Sequence, residues 1–145
     1  DFVRDLLTFR AEHIYALSPA AYDGGMSFAW KDADNADKTD WSDKHLMIHY
    51  YASEDDTETG PELLILLNLE AYAVDFVLPE GRTWTRVIDT QAWFDTGDEG
   101  TDLGHFADNP SANTLESANI SLDGDEEIEG EYVVAAQSIV VLVGR

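Results

Sequence analysis

The side chains in this sequence that could carry out chemistry are mostly carboxylates. Aspartate and glutamate account for 30 of the 145 residues, and pairs of such groups serve as general acid and as nucleophile or base in glycoside hydrolysis. In so acidic a chain, carboxylates come close together by chance, and most of them belong to a solvated surface. No pattern marks one pair as catalytic, so we expect this chain to contain no catalytic residue.

Two of the four histidines, His45 and His49, have the four-residue spacing of a metal-ligand pair on a helix. Their neighbours have the pattern of a strand, where this spacing puts two side chains on one face but about 13 Å apart. We therefore interpret both as strand histidines and expect no metal site. The absence of cysteine excludes disulfides and thiolate ligands, and the sequence contains neither a nucleophile elbow nor a glycine-rich phosphate loop.

Two acidic segments interrupted by glycine, residues 95–102 and 123–129, are the remaining candidates for cation binding. The alternate acids of the second segment resemble a calcium loop, but the turn glycine and the distant glutamate of an EF-hand are missing. We interpret both segments as solvated loops, leave weak calcium binding open, and expect no cofactor.

The tryptophans are the candidate substrate-binding residues, because the flat face of an indole stacks on sugar rings. Trp30 and Trp41 flank a polar loop, and Trp93 begins a long acidic stretch. Trp84, in contrast, lies in an alternating strand pattern and is predicted to belong to the core.

The charge of the chain excludes several classes of partner. Eight Lys and Arg against 30 acids give a formal net charge of −22. A nucleic-acid backbone requires a basic face, and an anionic membrane surface does so too, so we expect neither partner. We find no membrane-length apolar run and no signal-peptide pattern, and we expect a cytoplasmic location. The acid excess also fits a halophile, with an acidic mesophile as the open alternative.

The first part of the chain has the helical period. Apolar side chains recur every three or four positions over residues 2–17, which predicts one helix, and Pro19 ends it. Because its apolar positions form two neighbouring stripes, this helix has to pack against its own sheet or against another domain. The stripes consist of Phe2, Leu6, Phe9 and His13, and of Val3, Leu7, Ile14 and Leu17.

Strand patterns dominate the rest. Residues 63–67 are all apolar, which predicts a central strand buried on both faces. Residues 20–43 have a loop composition, and residues 90–130 form a long acidic excursion with one weak strand candidate at 118–122. We predict a mainly β protein, an antiparallel β-sandwich preceded by one N-terminal α-helix. Further strands are predicted at 45–51, 72–78, 83–88, 131–135 and 138–143.

A series of short motifs follows these elements in a fixed order. They are Arg10-Ala-Glu-His13, Trp30, Asp40-Trp41, the apolar run ending at Asn68, Phe76-Val77-Leu78-Pro79, Gly81, Trp84, Asp89-Thr90, and Tyr132 followed by Ser138-Ile-Val-Val-Leu142. The series resembles the C-terminal region of isoamylase-type glycogen debranching enzymes, in glycoside hydrolase family 13, and it spans nearly the whole chain. Ile14 and Gln137 depart from that pattern, where the family usually has Pro and Arg.

The resemblance implies a parent enzyme that hydrolyses α-1,6 branch linkages of glycogen or a similar glucan, with its catalytic acids upstream of Asp1. Residues 1–19 then resemble the last helix of the catalytic barrel, and residues 20–145 an α-amylase C-terminal-domain-like sandwich. The implied partners are that barrel, in the same chain, and an α-glucan. Since the sequence starts with Asp rather than Met, we interpret it as an excised fragment, with a processed chain as the alternative.

Two function classes follow from this comparison. The first is a non-catalytic domain that stabilises the barrel, with a contribution to the glucan cleft as a further role. The second is a stand-alone carbohydrate- or calcium-binding module with the same sandwich plan. The opening helix discriminates between them, because a self-contained module has no need of so broad an apolar face. A small independent enzyme is the weakest option, since no nucleophile and base converge in the sequence.

Overall fold

The strands of the protein form two antiparallel sheets, of six and of two strands. The computed structural model describes residues 2–17, 26–52, 61–90, 120–124 and 127–145. The larger sheet has the strand order β1-β2-β3-β8-β5-β6, and the smaller one pairs β4 with β7. Within the described ranges the elements are α1 (Phe2–Glu12), α2 (Ile14–Leu17), β1 (Met26–Lys31), β2 (His45–Ala52), β3 (Glu62–Asn68), β4 (Val74–Val77), β5 (Trp84–Asp89), β6 (Glu127–Ile128), β7 (Glu131–Val134) and β8 (Ser138–Gly144).

The pair of β3 and β8 lies at the centre of the larger sheet and confirms the predicted central strand. Leu64 and Leu66 of β3 are fully buried on one face, and Leu63 is fully buried on the opposite face. On β8, Leu142 and Val143 divide between the same two faces. Apolar side chains on both faces require a covering layer on each side of the sheet.

The smaller sheet covers the first of these faces, which we call the sheet face. Phe76 of β4 and Val134 of β7 pack with Leu66, Leu142 and the buried ring of Trp84. These strands alternate buried and exposed positions, as expected of a sheet with one face in water. The packing gives the mainly β, antiparallel, sandwich-like fold that the sequence predicts.

Asn68, at the end of β3, links the two sheets by hydrogen bonds. Its fully buried side chain donates to the carbonyl oxygens of Tyr72, Val134 and Ala135 at 2.8, 3.0 and 3.0 Å. Its Oδ1 accepts the amide of Glu70 at 2.9 Å. One side chain at the end of β3, in the larger sheet, therefore satisfies carbonyl groups beside β4 and at the end of β7, in the smaller sheet, which buried backbone requires.

The two helical segments cover the other side of the larger sheet, which we call the helix face. Phe9 of α1 and Ala16 of α2 are buried against Leu63, Val141 and Ile88. Ile120 and Leu122, near the end of the acidic excursion, pack into the same cluster. Neither described helix has the length and the apolar content that a membrane crossing requires.

Three of the sequence predictions are corrected by the structure. Residues 127–128, interpreted as part of a solvated loop, form β6, because they pair with β5 and bury Ile128. Residues 26–31, interpreted as part of a loop, form β1, and the single helix predicted over residues 2–17 is two segments that meet at His13. The strand β1 was missed because its alternation of apolar and polar residues is short and lies between Gly24-Gly25 and a polar run. It is a strand because it pairs with β2, and this pairing is not visible in the local sequence. The backbone amide of His13 still donates to Phe9 at 3.0 Å, so the helix path continues through the turn.

Replacing Leu66 tests the position of β3. We expect Leu66→Asp to lower the free energy of unfolding by about 3 kcal/mol or more, because it buries an unpaired charge between the two sheets. Leu69, which follows β3 and is exposed, provides the matched control Leu69→Asp, with an expected change within about 0.5 kcal/mol. Urea denaturation followed by circular dichroism measures both, and equal effects of the two variants would mean that β3 is misplaced.

Candidate functional site

Trp30 and Trp41, two of the predicted substrate-binding residues, lie next to each other. Trp30 is on β1, which is an edge strand, and its carbonyl oxygen accepts the amide of Lys38 at 2.9 Å. This bond folds the loop after β1 back along the strand, so that Trp41 reaches Trp30. Their ring centroids are 5.2 Å apart with an interplanar angle of 61°. The carboxylate of Asp40 accepts the amide and the hydroxyl of Ser42, which fixes the turn that carries Trp41.

Two further aromatic rings extend this pair into a row. Phe28 lies 6.5 Å from Trp30 and 6.0 Å from Tyr50, measured between ring centroids. Phe28, Trp30 and Trp41 are 49, 45 and 58% exposed. We call Tyr50, Phe28, Trp30 and Trp41 the aromatic row. It lies on the helix face of the sheet, at its β1–β2 end, beside α2, and Tyr50 packs against the cluster that contains Phe9 and Ala16.

The sequence analysis missed Phe28 and Tyr50 as members of this site. The signal was present in the period-2 spacing of Phe28 and Trp30, which puts both side chains on one face once the segment is a strand. Tyr50 is directly opposite Phe28 in the antiparallel register, and this pairing cannot be deduced from the sequence of β1 alone.

Of the other two tryptophans, Trp84 lies apart from the row. Trp84 is buried, as predicted, and its Nε1 donates to the carbonyl of Pro79 at 2.9 Å. Trp93 lies outside the described residues. The same holds for the acidic segment 95–102 and for residues 125–126 of the other candidate cation loop.

A group of charged side chains lies beside the loop that carries Trp41. The ammonium of Lys38 bonds to the carboxylates of Asp43 and Asp32, the latter at 3.3 Å, and its side chain is 1% exposed. The Nε2 atom of His45 lies 2.9 Å from Asp32. We call these four residues the Lys38 cluster. The potential ligand atoms of Asp32, Asp43 and His45 lie within 4.8 Å of one another, but the protein's own ammonium already bridges the carboxylates.

The ionisation of the Lys38 cluster follows from these contacts. Burial acts to raise the pKa of Asp32, but hydrogen bonds from the Ala33 amide and from Lys38 outweigh it and lower that pKa. Burial likewise acts to lower the pKa of Lys38, and the hydrogen bonds to Asp43 and Asp32 outweigh it and raise the pKa. Both groups are therefore charged at neutral pH, and the cluster is an ion-paired clamp between β2 and the loop after β1.

A second polar group is buried in the core and results from a β-bulge. The register shifts between Arg86 and Ile88, so that Arg86 and Asp89 point to the same face. The hydroxyl of Tyr132 donates to Asp89 at 2.7 Å, and Arg86 lies 3.4 Å from the same hydroxyl. Burial and the Asp89 carboxylate raise the pKa of Tyr132, so its phenol stays protonated. All three residues are buried, which fits a structural network better than a substrate site.

His49 belongs to a separate hydrogen-bonded group, away from His45. Its Nε2 lies 2.8 Å from Glu62, and Arg82 donates to the other oxygen of that carboxylate at 2.9 Å. Both histidines are on β2, as predicted, and each has a different acidic partner. The structure therefore does not bring these two side chains together at one site.

The described carboxyls with a displaced pKa are all more acidic than usual. Hydrogen bonds from Lys31 to Asp37 and from Ser42 to Asp40 lower the pKa of each carboxyl, and that of Asp5 is lowered by Arg4. A glycosidase general acid needs the opposite, a raised pKa that keeps a proton near neutral pH. These three carboxyls and Asp32 therefore do not fit that role.

Comparisons with known proteins add no relative. No protein-family model matches the sequence, and no curated protein matches it. Among the described residues, the aromatic row and the exposed side of α1 are the most distinctive surfaces of the protein.

Removing the cation of the Lys38 cluster is expected to destabilise the fold. Lys38→Met leaves two carboxylates facing each other and should cost about 2 kcal/mol, less than for a fully buried pair because these side chains are 26 and 23% exposed. Lys44→Met, at a neighbouring exposed lysine, is the control with little effect. Urea denaturation of the two variants and the parent at neutral pH measures the difference.

The pH dependence of this difference provides a second readout. A lowered pKa of Asp32 contributes stability above its unfolded value of 3.8, and that contribution is lost as pH falls through the lowered value. A raised pKa of Lys38 contributes below its unfolded value of 10.5, and the contribution is lost as pH rises through the raised value. The difference in stability between the parent and Lys38→Met should thus shrink below about pH 3, where the carboxylates become protonated. If the difference in stability between the parent and Lys38→Met does not change as the pH is lowered, the ion-paired clamp is excluded.

Proposed function

We propose that this chain is the non-catalytic C-terminal β-sandwich domain of an isoamylase-type glycogen debranching enzyme. In this proposal the parent enzyme hydrolyses α-1,6 branch linkages, and the domain, of the α-amylase C-terminal type, stabilises the catalytic barrel of the same chain. The ordered motif series supports the family, and the sandwich-like antiparallel fold is compatible with it. The observation that carries the proposal is the exposed side of α1.

The two apolar stripes of the opening helix differ in environment at most of their positions. The exceptions are Leu6 of the first stripe, which is 39% exposed, and Leu17 of the second, which packs into the cluster on the helix face. Phe9 and His13, from the first stripe, face the protein, with ring centroids 4.3 Å apart and Phe9 buried against the sheet. Val3, Leu7 and Ile14, from the second stripe, are 62, 58 and 45% exposed. The helix is thus anchored on its own sheet and still presents an aliphatic surface outward.

This aliphatic surface fits a protein partner. Fully burying a Val, Leu or Ile side chain stabilises an interface by about 1.5–3 kcal/mol, and aliphatic groups have no polar atoms that a ligand could recognise. A second copy of the chain would bring another 22 negative charges, which disfavours self-association. A barrel that packs on the outer side of α1 would bury the same three aliphatic side chains.

The alternative function is a stand-alone carbohydrate-binding module. The observation in its favour is the aromatic row, which needs no barrel to contact a sugar. The two functions differ in what they require of α1, because an independent module gains nothing from an exposed aliphatic stripe.

The double variant Val3→Gln/Leu7→Gln tests the barrel contact. In the isolated chain it should leave the melting temperature nearly unchanged, because both side chains are exposed and Gln is a good helix former. In the longer polypeptide expressed from the genomic locus, the same change should cost about 2–4 kcal/mol at the interface and speed thermal inactivation of debranching activity. Glu12→Gln, exposed and outside the stripe, is the matched control.

Two results would overturn the proposal. The first is a locus that encodes no upstream barrel. The second is a double variant that inactivates no faster than Glu12→Gln in the longer enzyme, since the stripe would then not face the barrel.

The isolated chain should also hydrolyse no glycosidic bond. The reaction needs two carboxyls at a fixed separation with pKa values tuned apart, whereas the displaced carboxyls described here are all lowered. Incubation with amylopectin, followed by measurement of reducing ends, should match a heat-killed control. Release of reducing ends that is abolished by mutating one carboxylate of this chain would contradict the proposal.

A further inference from the structure

We infer that the aromatic row is a binding surface for a neutral glucan chain of several sugar residues. The choice of α-1,4-linked glucose as that chain rests on the proposed function, whereas the site itself rests on the geometry of the four rings and on the charge around them.

The arrangement of the rings favours a ligand that stacks. Trp30 and Trp41 pack edge to face, with an interplanar angle of 61°, which fixes the two indoles relative to each other. Half or nearly half of each of Phe28, Trp30 and Trp41 is exposed. Three large rings exposed side by side leave apolar area in water, which a flat apolar ring face can cover.

The surroundings of the row favour a neutral polyhydroxyl ligand. A net charge of −22 disfavours phosphorylated or acidic ligands. At the Trp41 end, the side chain of the exposed Asp40 is an ionised acceptor, because hydrogen bonds from Ser42 lower its pKa. Asp37, close to it in the chain, has a side chain that is 84% exposed. Sugar hydroxyls can donate to such carboxylates, whereas an apolar protein surface would desolvate them without compensation.

The row and the exposed stripe of α1 therefore differ in chemistry. The stripe is aliphatic and suits a protein surface. The row is aromatic, has carboxylate hydrogen-bond acceptors at its Trp41 end, and suits sugar rings, whose apolar faces are surrounded by hydroxyl groups. Because the row consists of successive contacts from Tyr50 through Phe28 and Trp30 to Trp41, it fits a chain better than a single sugar.

Titration of the isolated chain with maltose, maltotriose and maltoheptaose tests this inference, with tryptophan fluorescence as readout and retardation in amylopectin gels as a second one. We expect affinity to rise with chain length. Trp30→Ala and Trp41→Ala should each weaken maltoheptaose binding about tenfold, and Trp41→Phe by less, since it keeps a ring. Tyr72→Ala, at an exposed ring after β3 and outside the row, should stay within about twofold. Circular dichroism checks that each variant is folded.

Four outcomes would overturn the inference. Absence of binding at about 10 mM maltoheptaose excludes the site, and the barrel proposal is then decided separately by the Val3/Leu7 variant. If a folded Trp41→Ala variant binds maltoheptaose as tightly as the parent does, the ligand binds at another site. Equal affinity for cellohexaose removes the α-glucan assignment and, with it, the link to debranching. A dimer that Trp41→Ala converts to a monomer, seen by analytical ultracentrifugation, makes the row a self-association surface.

Discussion

The pairing of β3 with β8 determines the rest of this structure, because both strands are apolar on both faces. Leu64 and Leu142 need a layer on the sheet face, and Leu63 and Val143 need one on the helix face. The two-stranded sheet provides the first layer and the helical segments the second. Among the described residues, the buried side chains of each layer pack on those of the central pair. Asn68 adds hydrogen bonds between the two sheets.

Among the described residues, the layer on the helix face leaves part of the larger sheet and one side of α1 exposed, and the aromatic row and the aliphatic stripe are these two surfaces. The segments α1 and α2 pack against side chains of β3, β8 and β5, and α2 also lies next to β1, while three aromatic side chains remain exposed at the β1–β2 end. The outer stripe of α1 has no covering element among the described residues. The protein therefore presents an aliphatic and an aromatic surface on the same side, and their different side-chain chemistry favours two different occupants.

The sequence predicted the parts of the fold that depend on strong local patterns. The continuous apolar run of β3, the alternation of β4 and the burial of Trp84 all follow from spacing and composition. It did not predict β1, whose strand character depends on pairing, nor the group of Arg86 and Asp89, which the bulge brings to one face. Trp30 and Trp41 were predicted as candidates one by one, but their proximity depends on a loop whose path is fixed by the amide of Lys38.

The strand that carries two of the four rings could in principle slide. A shift of β1 by one residue against β2 would turn Phe28 and Trp30 to the sheet face and bring Ser27 and Ala29 out in their place. The bond from Lys38 to the Trp30 carbonyl and the Lys31–Asp37 ion pair oppose this slip, and the Lys38 cluster holds the loop against β2. Charged groups that never touch a ligand thus decide which side chains the surface displays, and substitutions in the loop can erase the aromatic row without altering any of its rings.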